Sequence, residues 1–163
     1  MSKANPYDSF IDGRQPQAIL SSTPAALVDT LNRIGAEHES TPPAPGKWSA
    51  AQIVCHLADC ELVFGFRLRQ TLAEDGPTVQ PFDQDKWAAT YSGIPAAEAA
   101  KVFAALRDWN IRLIQSALPD AAARTLTHPE RGTMTFQTVV ETMAGHDLNH
   151  LGQLRRIADA KSA

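Results

Sequence analysis

A chain of 163 residues, 44% hydrophobic and 20% charged, has the size and composition of one globular domain with a proper core. Its formal charge of −3, without any run of Lys or Arg, leaves no electrostatic footprint for nucleic acid or an anionic membrane surface. No stretch approaches the roughly eighteen consecutive apolar residues that span a bilayer, and Met1-Ser2-Lys3 opens polar sequence, so a cytoplasmic protein acting on small molecules is expected.

Residues 1–22 carry the turn pairs Asn5-Pro6, Asp12-Gly13 and Gln15-Pro16 and read as an irregular arm or one short helical piece, with no function assigned. The bundle proper is expected over 23–163. Thr23-Pro24 offers an N-cap and a proline in the first helical position, and Leu27, Leu31, Ile34 and His38 follow at helical spacing as the first helix. The segment from Thr41 to Trp48 is a stiff connection, since its three prolines and a glycine remove donors and fix non-helical dihedrals. Ser49-Ala50-Ala51-Gln52 is a capping box that opens the second helix. Its inward face reads Ile53, His56, Leu57, Cys60, Phe64, Arg67 and Leu68, and it stops near Glu74, ahead of Asp75-Gly76-Pro77.

A long crossover follows from Pro77 to Gly93 with three aromatics, Phe82, Trp87 and Tyr91; ordered loops of this length often line a site. Pro95 starts the third helix, whose stripe is Val102, Phe103, Leu106, Trp109, Asn110, Leu113 and Ala117, closed by Pro119. His128-Pro129 and Arg131-Gly132 form a turn region. The last helix, capped by Thr133 or Thr135, presents Phe136, Val139, Val140, Met143, His146, Asp147, His150, Leu154 and Ile157 on one face. Four amphipathic helices and no convincing strand predict an all-α, antiparallel four-helix bundle. A crossover loop between helices 2 and 3 is placed to alter simple up-down-up-down connectivity.

His146 and His150 lie four apart and so one turn above each other on the last helix, where both imidazoles can reach one point. A single inward histidine is usually a hydrogen-bonded structural residue, and each unsatisfied buried polar group costs about 1–3 kcal/mol. His56 on the inward face of the second helix makes three, and neutral imidazoles around one divalent ion satisfy all three together. Three protein ligands leave a position for water or substrate, the arrangement of a catalytic site. Cys60, one turn beyond His56, is either a fourth ligand that closes the site or a plain core filler. Cys55 and Cys60 stand about 7.5 Å apart along a helix, beyond the disulfide limit of about 7 Å, so free thiols are expected. Asp59, Glu61 and Asp147 are nearby acids, read as solvated helix charges before partners of the imidazoles. Arg67 either braces the bundle by pairing with a buried acid or reads an anionic group on a substrate. His128 is expected to be exposed without a role, and His38 to cap the C-terminus of the first helix. The absence of any Glu-x-x-His disfavours a carboxylate-bridged di-iron site.

The chain resembles the DinB-like (YfiT-type) family of metal-binding four-helix bundles. The resemblance rests on Gly46-Lys47-Trp48-Ser49, then Ile53 to His56 with Asp59 and Glu61, then Phe66-Arg67 with Arg69 and Leu72 to Pro77. It continues in Pro81-Phe82-Asp83 with Asp85, Trp87 and Ala88, and closes on His146, His150, Leu151 and Gln153. Membership implies metal ligation by His56, His146 and His150, the same three that the inward faces select. The Asp-Gly-Pro and Pro-Phe-Asp stretches are similar to the bacillithiol-transferase branch, which implies a metal-dependent transferase moving a low-molecular-weight thiol onto an electrophilic substrate. The same likeness implies a homodimer. Zinc or nickel is the expected ion, with Trp48, Phe82 and Trp87 walling the pocket and Arg67 and Glu61 as further pocket candidates. The alternatives are a metal-dependent hydrolase of an amide or ester, and a non-catalytic, stress-associated metal-binding bundle.

Overall fold

The computed structural model describes residues 4–161. Its elements run α1 (Asp8–Ile11), α2 (Pro16–Ile34), α3 (Ala50–Ala73), α4 (Gln84–Ala88), α5 (Ala96–Ala117), β1 (Thr125–His128), β2 (Gly132–Thr135) and α6 (Phe136–Lys161). The four long helices α2, α3, α5 and α6 make the bundle. None of the described helices is long and apolar enough to cross a membrane.

α3 starts where its capping box predicts: the Gln52 N–H donates to the Ser49 hydroxyl at 3.3 Å and the Ser49 N–H donates to the Gln52 side chain at 2.9 Å. α2 does not. It begins at Pro16, so Thr23-Pro24, expected to open the helix, lies in its interior. A proline there cannot donate to the carbonyl four residues back. That carbonyl, of Leu20, instead accepts a hydrogen bond from Nη1 of Arg107 at 3.0 Å.

The turn region of the sequence is a small antiparallel hairpin, with Thr125 opposite Thr135 and His128 opposite Gly132. Leu126, His128 and Met134 are buried while the threonines alternate with them, which is the period of a half-buried strand. The hairpin is tied to the crossover: the Val79 N–H donates to the Thr127 carbonyl at 2.9 Å, and the Thr127 N–H to the Pro77 carbonyl at 2.8 Å.

α2 and α3 each pack against both α5 and α6, so the order around the bundle is α2, α5, α3, α6. Two apolar clusters set the helix directions. Leu20, Phe64, Leu68, Ile114, Phe136 and Met143 share one end, and Leu27, Ile34, Ile53, Phe103, Leu151 and Leu154 the other. α2 and α6 therefore run the same way, and α3 and α5 run together in the opposite sense. The bundle is thus antiparallel between α2 and α5 and between α3 and α6 only, and the crossover loop between the second and third bundle helices alters the up-down-up-down connectivity as its length suggests. Because neighbours α3 and α5 are parallel, the connection between them must travel the length of the bundle, roughly 36 Å for the 24-residue α3. On the way it lays α4 and its flanks over one flank of the helices. Between the two apolar clusters lies a buried polar layer: His56, Glu61, Arg107, Asn110, His146, Asp147 and His150.

Candidate metal centre

His56 comes from α3, and His146 and His150 from successive turns of its antiparallel neighbour α6. Their exposures are 1%, 4% and 5%. Nε2 of His146 stands 3.0 Å from Nε2 of His56 and 3.1 Å from Nε2 of His150. The rings are held from behind. Nδ1 of His150 faces Oε1 of Gln153 at 3.0 Å, so that nitrogen carries the proton and Nε2 keeps its lone pair. Trp48 lies 4.9 Å from the His56 ring, centroid to centroid, and stacks at 6.5 Å and 11° on His150. The Tyr7 and Phe64 rings meet His146 edge-on.

Burial keeps all three imidazoles neutral. It pushes His56 down to about 3, with the neighbouring His150 adding to the effect. His146 is held well below its ordinary value by burial first, then by His150 and His56. His150 is lowered by burial against the opposing pull of Gln153 and Asp147. A neutral imidazole pair at 3.0 Å can share one proton, but Nε2 of His146 faces two such neighbours at once. It cannot donate to one and accept from the other through a single nitrogen, so hydrogen bonding among the three imidazoles alone leaves a lone pair unserved. A divalent ion takes all three lone pairs. Bonds of about 2.0–2.1 Å at tetrahedral angles place ligand nitrogens roughly 3.3 Å apart, close to the spacing found here. These residues fit such an ion, and the three histidines are the group of ligand atoms, all within 4.8 Å of one another, that could hold it. The sulfur of Cys60 is also brought to the edge of the centre, 3.4 Å from Nε2 of His56 and 3.8 Å from Nε2 of His146. Burial pushes its thiol up, and Glu61 and Asp59 add to that, so it is the protonated form that stands there. Both cysteines are free.

Two cavities reach the centre. The larger, about 640 Å³, is lined by Trp48, Ile53, His150, Gln153 and Arg156 among others. The smaller, about 380 Å³, is lined by His56, Cys60, Arg67, Phe82, His128 and His146. Tyr7 and Gln84 border both, so the N-terminal arm, to which the sequence assigned no function, closes over the imidazoles.

Several expectations are corrected. Glu61 and Asp147 are neither solvated nor on a cavity wall. Arg107 donates to both Asp147 oxygens at 2.6 and 3.0 Å and to Oε1 of Glu61 at 2.7 Å, while Nδ2 of Asn110 donates to Oε2 of Glu61 at 2.9 Å. Asp59 accepts a hydrogen bond from the Tyr91 hydroxyl at 2.6 Å. Arg67 pairs with no acid among the described residues; its Nη2 donates to the Gln80 carbonyl at 2.9 Å. Trp87 lines neither cavity and packs on Phe82 at 4.6 Å. His128, expected to be exposed, is 4% exposed and lines the smaller cavity. His38 lies beyond the Gly35 cap of α2, beside Glu37 at 3.6 Å. The stripe expected for the third helix omits Arg107 and includes Val102 and Trp109, which are exposed, beside Phe103 and Asn110, which are buried. The signal was the set Phe103, Arg107, Asn110 and Ile114, at helical spacing.

The model of the DinB superfamily matches residues 19–154. A protein of Oceanobacillus iheyensis whose name places it among metal-dependent hydrolases is 26% identical over 143 residues, covering 87% of this chain and 83% of the relative. One from Geobacillus kaustophilus, named in the same way, is 28% identical over 148 residues, covering 88% and 83%. The solved structure of YfiT from Bacillus subtilis, described as a probable metal-dependent hydrolase with an unusual four-helix bundle topology, superposes with a TM-score of 0.84. It does so at 19% identity, over 90% of this chain and 86% of that one.

Proposed function

The chain belongs to the DinB superfamily, and from that premise we propose that it is a metal-dependent transferase that moves a low-molecular-weight thiol onto an electrophilic small molecule. His56, His146 and His150 hold the divalent ion, zinc before nickel. The observation that carries the reading is that two cavities meet at the imidazoles, one through His150 and the other through His56 and His146. A hydrolase whose second substrate is water has use for one organic pocket; a transferase needs two.

When bound, a divalent ion at these nitrogens lowers the pKa of a coordinated thiol and polarises a neighbouring electrophile. The side chains do the rest. Gln153 keeps the lone pair of His150 turned inward, and the Trp48 plane fixes the rings of His56 and His150. Tyr7, between the cavities, keeps bulk water from the point where they meet. In the reaction the thiol sulfur forms a bond to carbon, the leaving group departs with its bonding pair, and the thiol proton passes to solvent.

The second reading, hydrolysis of an amide or ester, draws on the names of the relatives. Zinc-loaded protein incubated with a small thiol and monochlorobimane separates the two. Conjugation faster than the uncatalysed rate, dependent on thiol and lost in His56→Ala, is the expected result. Cleavage of a chromogenic ester with no thiol dependence gives the assignment to hydrolysis.

A homodimer completes the proposal. Leu62 and Phe66 on α3 and Val102 and Trp109 on the adjacent α5 are 52%, 61%, 51% and 63% exposed, and these apolar side chains are the ones we assign to contact with a second copy. Sedimentation of the wild type as a dimer and of Phe66→Glu as a monomer is expected; a monomeric wild type removes this part.

A further inference from the structure

We infer that the smaller cavity is a subsite for a substrate carboxylate, received by Arg67 and Arg131 beside the imidazoles. Both arginines line it. Arg67 is 7% exposed, its one hydrogen bond among the described residues goes to the Gln80 carbonyl, and its buried Nε has no partner. Neither arginine takes part in a salt bridge among the described residues. A buried guanidinium with no carboxylate in salt-bridge contact is costly to keep. Its fork matches the two oxygens of a carboxylate, which is the group that repays the cost when it enters.

The acids that line the same cavity do not fill that role. Asp83 accepts from the N–H groups of Asp85 and Lys86 at 3.1 Å each and faces the Lys86 ammonium at 3.4 Å. Glu130, exposed on the hairpin turn beside Arg131, favours the charged form of Arg67 through space, but among the described residues no salt bridge joins it to either arginine. The hairpin thus brings Arg131 and the buried His128 to one wall, while α3 brings Arg67, His56 and Cys60 to the other. The substrate class that follows is a small molecule carrying a carboxylate a few bonds from its reacting atom. This deepens the thiol-transfer reading and rests on it for what the bound molecule does, although binding is measurable without turnover.

Calorimetric titration of the zinc-loaded full chain with succinate, with its neutral analogue succinamide and with inorganic phosphate tests the inference. Saturable binding of succinate, weaker binding of phosphate and none of succinamide is expected. Arg67→Gln should weaken succinate by at least about tenfold, the equivalent of one charge-assisted hydrogen bond. Arg131→Gln, at a half-buried position on the turn, should weaken it by a smaller factor; it decides the matter if Arg67→Gln proves misfolded by circular dichroism. Repeating the titration on His56→Ala separates the arginines from direct capture by zinc. Succinate binding that persists there and still depends on Arg67 or Arg131 supports the subsite even if no thiol is ever transferred. Equal affinity in the wild type and both arginine variants, or tighter binding of phosphate than of succinate, overturns it.

Discussion

Arg107 donates to the carbonyl oxygen of Leu20 at 3.0 Å, the oxygen that Pro24 leaves without its helical donor. The same guanidinium, 1% exposed, holds Asp147 on α6 and Glu61 on α3, so one side chain of α5 ties all four helices at the level of the imidazoles. Its cation–π contact with Phe103, 4.6 Å from the ring centroid, covers the face that the acids leave open. Burial opposes its charge, but Asp147 and Glu61 outweigh that and raise its pKa. Replacing Arg107 by Met leaves two buried carboxylates facing each other, and the expected loss is about 3–5 kcal/mol. Arg107→Lys should lose most of the same amount, because a point charge cannot span Leu20, Glu61 and Asp147 at once. Urea unfolding measures both; a loss under about 1 kcal/mol for Met would show that the network does not brace the bundle.

Acid should unfold the metal-free protein through its histidines. His56, His146 and His150 have folded pKa values below the ordinary 6.5, His56 at about 3. Below pH 6.5 the unfolded chain takes up protons that the folded chain refuses, so stability is complete above that pH and falls as pH drops toward 3. Stability measured by urea across this window should slope downward on acidification. The slope should flatten in His56→Gln, which has one site fewer. Identical profiles for the two proteins would mean that these imidazoles do not govern the acid transition.

Gln153 stands behind His150, not in front of it. Its side-chain oxygen fixes which ring nitrogen keeps the proton, so Gln153→Leu should weaken zinc binding by roughly 10- to 100-fold while leaving the metal-free melting temperature almost unchanged. Competition against a chelator of known affinity reads the first and thermal denaturation the second. Unchanged zinc affinity would show that the ring needs no such partner.

What sequence reveals here follows from how local each determinant is. The capping box of α3 and the inward histidines are short-range patterns, and they predict the converging imidazoles. Thr23-Pro24 is locally a good cap, yet α2 starts at Pro16, and the Leu20 carbonyl that Pro24 leaves free takes its donor from Arg107 on α5. The hairpin hid in a stretch read as turn, although Thr125-Leu126-Thr127 and Thr133-Met134-Thr135 alternate as strands do. With it went the burial of His128 and the placing of Arg131. The carboxylates Glu61 and Asp147 look like surface charges until the third helix is turned enough to put Arg107 between them. Parallel packing of α3 and α5 is a property of the long crossover, whose path no local periodicity encodes.

The arm is held by a missing side chain. A Cβ added to Gly145, one residue before His146, would stand 2.5 Å from the Tyr7 carbonyl oxygen and 2.6 Å from the Tyr7 Cβ. The backbone of Tyr7 cannot yield within its own turn, so in Gly145→Ala the arm must lift from α6. Alanine favours the helix by about 1 kcal/mol, which offsets part of the lost packing and leaves the bundle folded. With Tyr7 withdrawn from both cavities, trypsin should reach Arg14 several-fold faster, and thiol transfer should fall through admitted water while zinc affinity stays near wild type. Limited proteolysis gives the first readout and zinc competition the last. Cleavage at the wild-type rate would mean that the close approach of Tyr7 to Gly145 does not hold the arm, and that Tyr7 borders the imidazoles without guarding them.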